Sequence, residues 1–178
     1  MTPPPRRVVS LLPSATEIVC AVGGRPNLVG VSHECDHPAD VVGLPTLTSA
    51  RFAPEATSGA IDVAVREALL KALTLYAIDH ERLAALKPDV IVTQDLCEVC
   101  AVSLADVCQA VEALLGGDVD IVSLQPHRLS DLWDDMRRVA AALDQAAAAE
   151  PAIDALKNRI EVIRQRASGL TSAPLTVA

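Results

Sequence analysis

The sequence predicts an α/β fold: a Rossmann-like lobe built on a parallel sheet with helices on both faces, followed by a long backbone helix. Two observations carry this. Short β-rich runs alternate with helical patterns along most of the chain, and repeated strand–helix alternation produces parallel sheets covered on both sides. Near the end, Ile153, Leu156, Ile160 and Ile163 share one helical stripe behind Pro151, a favoured first-turn residue; its run of about 17 residues would span roughly 25 Å.

The elements read in order as follows. Arg7 to Leu12 is a strand stopped by Pro13, and Ser14-Ala-Thr-Glu17 has the form of a capping box opening a helix to about Val22. Leu28 to Ser32 is a second strand. Pro38 to Gly59 reads as loop, with Leu44 to Leu47 able to pair briefly. Apolar residues at 61, 65, 69 and 73 predict a helix, and Asp79 caps a short one through Leu86. Val90 to Thr93 is a buried strand, Ser103 opens a helix to Leu115, Asp120 to Leu124 is a strand, and Ser130-Asp131 starts a helix to about Leu143.

Composition narrows the function. A chain of 178 residues suits one domain with a full-sized core, and its net charge of −8 argues against nucleic acid or anionic membrane as partner. No apolar run approaches the roughly 18–20 residues that cross a bilayer. Only Phe52, Tyr76 and Trp133 are aromatic, so the core must be aliphatic. Arg6-Arg7 before VVSLLPSATEIVCAVGG imitates a signal peptide, but Pro13 and Glu17 interrupt the apolar region and Val19 is too large for a cleavage site. The segment therefore reads as fold behind a disordered leader at 1–6, which predicts a cytoplasmic location with reduced thiols. Five cysteines, an odd number, also fit a disulfide framework poorly.

In open parallel sheets, ligands lie beyond the carboxyl ends of the strands. Ser14 and Thr16 follow the first strand here, His33-Glu34-Cys35-Asp36-His37 the second, Gln94-Asp95-Leu96-Cys97-Glu98-Val99-Cys100 the third, and Gln125-Pro126-His127 the fourth. The C-x-x-C of Cys97 and Cys100 fits three readings: half of a metal site, a redox pair, or two buried thiols. For a metal site, Cys35 is the third ligand and His33, His37 or His127 the fourth; thiolate-rich sites take zinc or iron–sulfur clusters. Cys35 should then approach Cys97 or Cys100 at the carboxyl edge. Glu98 between the cysteines opposes a redox thiolate by like-charge repulsion. A thiol redox or metal-dependent enzyme using this pair is the alternative to a binding protein. Cys20 and Cys108, each mid-helix among apolar neighbours, are expected in the core.

The order of VVSLLPSATEIVCAVG, LVGVSHECDHP, LPTLT and IDHERLAALKPDVIVTQ resembles the helical-backbone solute-binding proteins of ABC importers for cobalamin and iron–siderophores. Ser32 to Asp36 and Gln94 to Ser103 resemble its cobalamin-binding branch. The resemblance implies a first lobe at 7–145, a backbone helix at 151–167, and at 170–178 the start of a second lobe that this chain lacks. It implies a cleft between two lobes that holds the ligand. With the strand-end reading, the expectation is cobalamin or another metal chelate, with Ser14, Thr16, Gln94 and His127 on the ligand and Cys35, Cys97, Cys100 and His33 on a metal. A backbone helix without its second lobe exposes apolar surface, so self-association is expected.

Overall fold

The computed structural model describes residues 4–50, 57–70, 76–95 and 103–169. Cys97, Cys100 and the segment 170–178 lie outside the described residues, and with them the expected approach of Cys35 to the C-x-x-C. A four-stranded sheet runs β2 (Leu28–Val31), β1 (Val8–Ser10), β5 (Val90–Gln94), β6 (Asp120–Leu124), with every neighbouring pair parallel. Alternation along the strands splits the core in two. Val8, Val90, Val92, Val122 and Leu124 face α1 (Pro13–Ala21), α5 (Leu129–Ala142) and α6 (Ala149–Ser168). Val9, Leu11 and Ile91 face α3 (His80–Leu86) and α4 (Leu104–Leu115), where Leu83, Val107, Ala110 and Val111 meet them. Side chains two residues apart on a strand share a face, so one set of valines and isoleucines serves both layers.

A small antiparallel pair, β3 (Thr48–Ala50) with β4 (Tyr76–Ile78), lies where a loop was expected. It joins the main lobe through the bridge between Val31 and Thr46 and through Leu47, which is fully buried and bonds Val31 and Asp79 through its backbone. Gly30 allows this closeness: a Cβ there would stand 2.5 Å from Leu47 Cδ1. Helix α2 (Ser58–Leu70) follows the pair's first strand.

Three local expectations need correction. Helix α1 starts at Pro13, with Leu12 at its N-cap and no side-chain cap bond, so Ser14 is not a cap. Proline's fixed φ starts the turn one residue early and leaves the serine hydroxyl free. Cys108 is exposed, because the buried face of α4 is Val107, Ala110 and Val111. Cys20 is half-buried at the edge of its cluster rather than inside it. The caps at Asp79 and Ser103 form as read, each side chain accepting an amide three residues on. Burial along α6 fades outward: Ala149 and Ile153 are buried, Leu156 is partly buried, and Ile160 and Ile163 are 41% and 64% exposed.

Candidate functional site at the carboxyl edge

The loop after β2 sends its donor groups in different directions. Cys35 Sγ turns inward to 3.1 Å from Thr16 Oγ1, and Thr16, itself fully buried, donates to Ser10 Oγ at 2.8 Å. Ser10 in turn donates to the Leu12 carbonyl. Burial pushes the Cys35 thiol up, so this cysteine is a thiol, not a thiolate, at neutral pH. Thr16 therefore holds the loop to α1 and has no hydroxyl to offer a ligand.

His33 turns the other way, toward the small sheet. Thr48 Oγ1 lies 2.7 Å from His33 Nδ1 and 2.8 Å from Ser32 Oγ, and it accepts the His33 amide at 3.0 Å. Thr48 has one proton to give, so of Ser32 and the imidazole one receives it and the other donates. Either arrangement fixes the ring through Nδ1 and leaves Nε2 for a partner outside the network. Tyr76 tilts against the ring at 5.3 Å and donates to Glu34 Oε1 at 2.9 Å. Burial, then the bond to Glu34, pushes the tyrosine up to about 12.

At the other strand ends the side chains remain near water. Gln94 closes β5 half-buried, and the following Asp95 accepts from Gln125 Nε2 at 3.2 Å. His127 is exposed and gives its amide to Asp131, which also caps α5 through the Arg128 amide. Thr93 Oγ1 and Ser123 Oγ, opposite each other in register, are buried without a hydrogen-bond partner.

An open groove of about 540 Å³ runs along α1 from Ser14 at this edge to Ala21 in its last turn, between α1, α5 and α6. Small-molecule sites commonly measure about 300–1,000 Å³. Ser14 and Glu17 on α1 and the His37–Pro38 turn form one side, Leu156 and Arg159 on α6 the other, with Leu132 and Met136 of α5 beneath. Sequence reasoning placed Ser14 here and named His37 as an alternative metal ligand. It missed the α5 and α6 walls, which reach α1 only through tertiary packing and carry no motif.

The described donors do not assemble a metal centre. Among the described residues, no three of His, Cys, Asp and Glu are placed to hold an ion. The reason is visible in the loop: Cys35 is spent on Thr16 and His33 Nδ1 on Thr48, so Cys35 and His33 face opposite layers. The zinc or iron–sulfur site expected on Cys35 and His33 finds no support in that geometry.

The family described as "Periplasmic binding protein" matches residues 8–178. The chain is 28% identical over 173 residues to the vitamin B12-binding protein of Pectobacterium carotovorum, covering 97% of itself and 51% of that protein. Its fold is similar to the periplasmic heme-binding protein RhuT from Roseiflexus (TM-score 0.67, 22% identity, 96% of this chain and 53% of that one). It is also similar to the periplasmic vitamin B12-binding protein BtuF of Vibrio cholerae (TM-score 0.60, 21% identity, 93% and 52%). The chain thus spans about half the length of the relatives it matches. These matches overturn the cytoplasmic expectation, because the family and these structural relatives are periplasmic. The residues from Val8 onward are indeed fold, but being fold says nothing about compartment. On the match across nearly its whole length, this chain belongs to the periplasmic binding protein family.

Proposed function

We propose that the chain is the ligand-binding lobe of a solute-binding protein that takes a metal chelate of the cobalamin, heme or iron–siderophore kind. The chelate sits against the carboxyl edge, and an ABC importer receives it. The groove is the observation that carries this reading: one end of it opens at the carboxyl edge, where open parallel sheets bind ligands, and its base is aliphatic. The vitamin B12-binding and heme-binding relatives support the choice of class.

A chelate brings its own equatorial ligands, so the protein needs no three-residue metal centre. Ser14 then offers a hydroxyl at the start of α1, where free amides favour acidic or carbonyl groups. His33, turned to the small sheet and outside the groove lining, offers Nε2 to a part of the chelate that reaches past the groove. Gln94 and His127 offer polar contacts at the far end of the edge. With three aromatic residues in the chain, Ile18, Leu132, Met136 and Leu156 replace ring stacking as the apolar surface. Residues 7–145 form this lobe, and 151–167 the backbone helix leading away from it.

The test is a titration of hydroxocobalamin, hemin and ferrichrome into the chain, followed by quenching of Trp133, the single tryptophan. One class should bind saturably. Ala21→Phe, at an exposed position on the groove wall, should weaken that binding about tenfold or more by occupying the space. If no class binds, or if the filled groove binds as well as the open one, the reading is wrong.

A further inference from the structure

We infer that Arg159 is the anion-recognising residue of this groove, so that the chelate carries a carboxylate or phosphate on the side facing α6. The inference rests on the groove being the ligand site and goes beyond it to the chemistry of what is held.

The first argument is position. On α6 the apolar stripe runs through Ile153, Leu156, Ile160 and Ile163, and Arg159 stands beside it, on the groove wall with Leu156.

The second argument is what its neighbours do. Arg137 pairs with Glu150 and Asp134, Arg138 with Asp135 and the Ser123 carbonyl, Arg164 with Glu161, and Lys157 stands over the Trp133 ring at 5.6 Å. Among the described residues, no hydrogen bond or ion pair engages Arg159, and none joins it to Glu17, the only acid on the groove wall. In a chain of net charge −8, a cation left over an apolar groove suits an anion that arrives with the ligand. A guanidinium can hold carboxylate or phosphate through two parallel N–H bonds. Across the groove, the amino terminus of α1 near Ser14 adds positive potential of the same kind.

The test uses paired probes in which one member carries an anion that the other lacks, and the response of R159Q relative to the parent on each probe isolates the guanidinium's share. Hemin carries two free propionates and its dimethyl ester none; cyanocobalamin carries a phosphodiester that dicyanocobinamide lacks. Binding is read by Trp133 quenching on the full chain and on R159Q and R159K. For whichever pair binds, R159Q should weaken the anionic probe about tenfold or more and leave its partner unchanged, as loss of a charged hydrogen bond predicts. R159K should keep part of the affinity, since the charge remains. The hemin pair responding points to a carboxylate, the cobalamin pair to a phosphate. Equal losses on both members of a pair, or no loss on the anionic member, would overturn the role of Arg159 while the groove stood. Absence of saturable binding by all four probes would overturn the role of Arg159, and absence with ferrichrome as well would overturn the groove.

Discussion

The two edges of the one sheet are built to different ends. At the amino edge most polar groups are matched, although Arg25 Nε is buried without a hydrogen bond. Arg6 bonds Asp120 at 2.5 Å and the Ala142 carbonyl, and the Arg7 amide and guanidinium bond Asp89 and the Leu86 carbonyl. Asn27 joins Arg6 to Gln145. At the carboxyl edge the matching is incomplete. Thr93 Oγ1 and Ser123 Oγ are buried without hydrogen-bond partners, and Ser14, His37 and Arg159 line an open groove. The same backbone thus carries a more closed end and, on the function proposed above, an open end for a ligand. Unsatisfied buried groups cost folding free energy, so the open end is kept at a cost.

If this contrast is right, damage to the amino edge should lower stability and spare binding. The largest effect is expected from Gly24→Ala, where α1 turns toward β2. A Cβ there would meet Leu143 Cδ1 at 2.7 Å and the Val19 carbonyl at 2.9 Å, and overpacking of this kind costs about 1–3 kcal/mol. Denaturant unfolding should show that loss, and chelate affinity measured on the folded fraction should not change. A Gly24→Ala protein as stable as the parent would mean the closed end has slack.

Thr48→Val should do both kinds of harm. It removes the atom that Ser32 and His33 share, costing about 1–2 kcal/mol, and it frees the His33 ring. The expected result is a lower unfolding midpoint together with weaker chelate binding. If stability falls and binding does not, His33 is not part of the ligand contact.

The smallest effect concerns Asp135, and its sign is informative. Burial pushes its carboxyl up, against the pull of Arg138 at 3.0 Å. A raised acid contributes stability below the unfolded carboxylate range and loses it as pH rises through its folded value. At neutral pH the ionised group therefore weighs against folding. Asp135→Asn should melt slightly higher than the parent at pH 7, and the gain should fade as pH falls through about 4. A variant melting lower at pH 7 would show that the Arg138 pair outweighs burial.

Much of the fold was readable because the signals were local. Val90 to Thr93 is a run of apolar and β-branched residues, and it forms the central, fully buried strand. The caps at Asp79 and Ser103 likewise depend on residues three apart. The β3–β4 pair escaped reading because its strands are three residues each, come from Thr48–Ala50 and Tyr76–Ile78, and are held by Leu47 and Gly30 rather than by a turn motif. Cys108 was misplaced because apolar neighbours in sequence do not share a helix face. At the site, strand-end logic found Ser14 and the 33–37 loop. It could not tell that Thr16 and Cys35 satisfy each other, or that Arg159 comes back over α1 from more than a hundred residues away.

The most direct test of the open and closed edges is hydrogen–deuterium exchange with and without bound chelate, using hemin and cyanocobalamin as probes. Slower exchange is expected over the first turn of α1, the 33–38 loop and the middle of α6, with residues 25–28 and 118–120 at the amino edge unchanged. Protection confined to the amino edge, or no protection anywhere at saturating probe, would contradict the account.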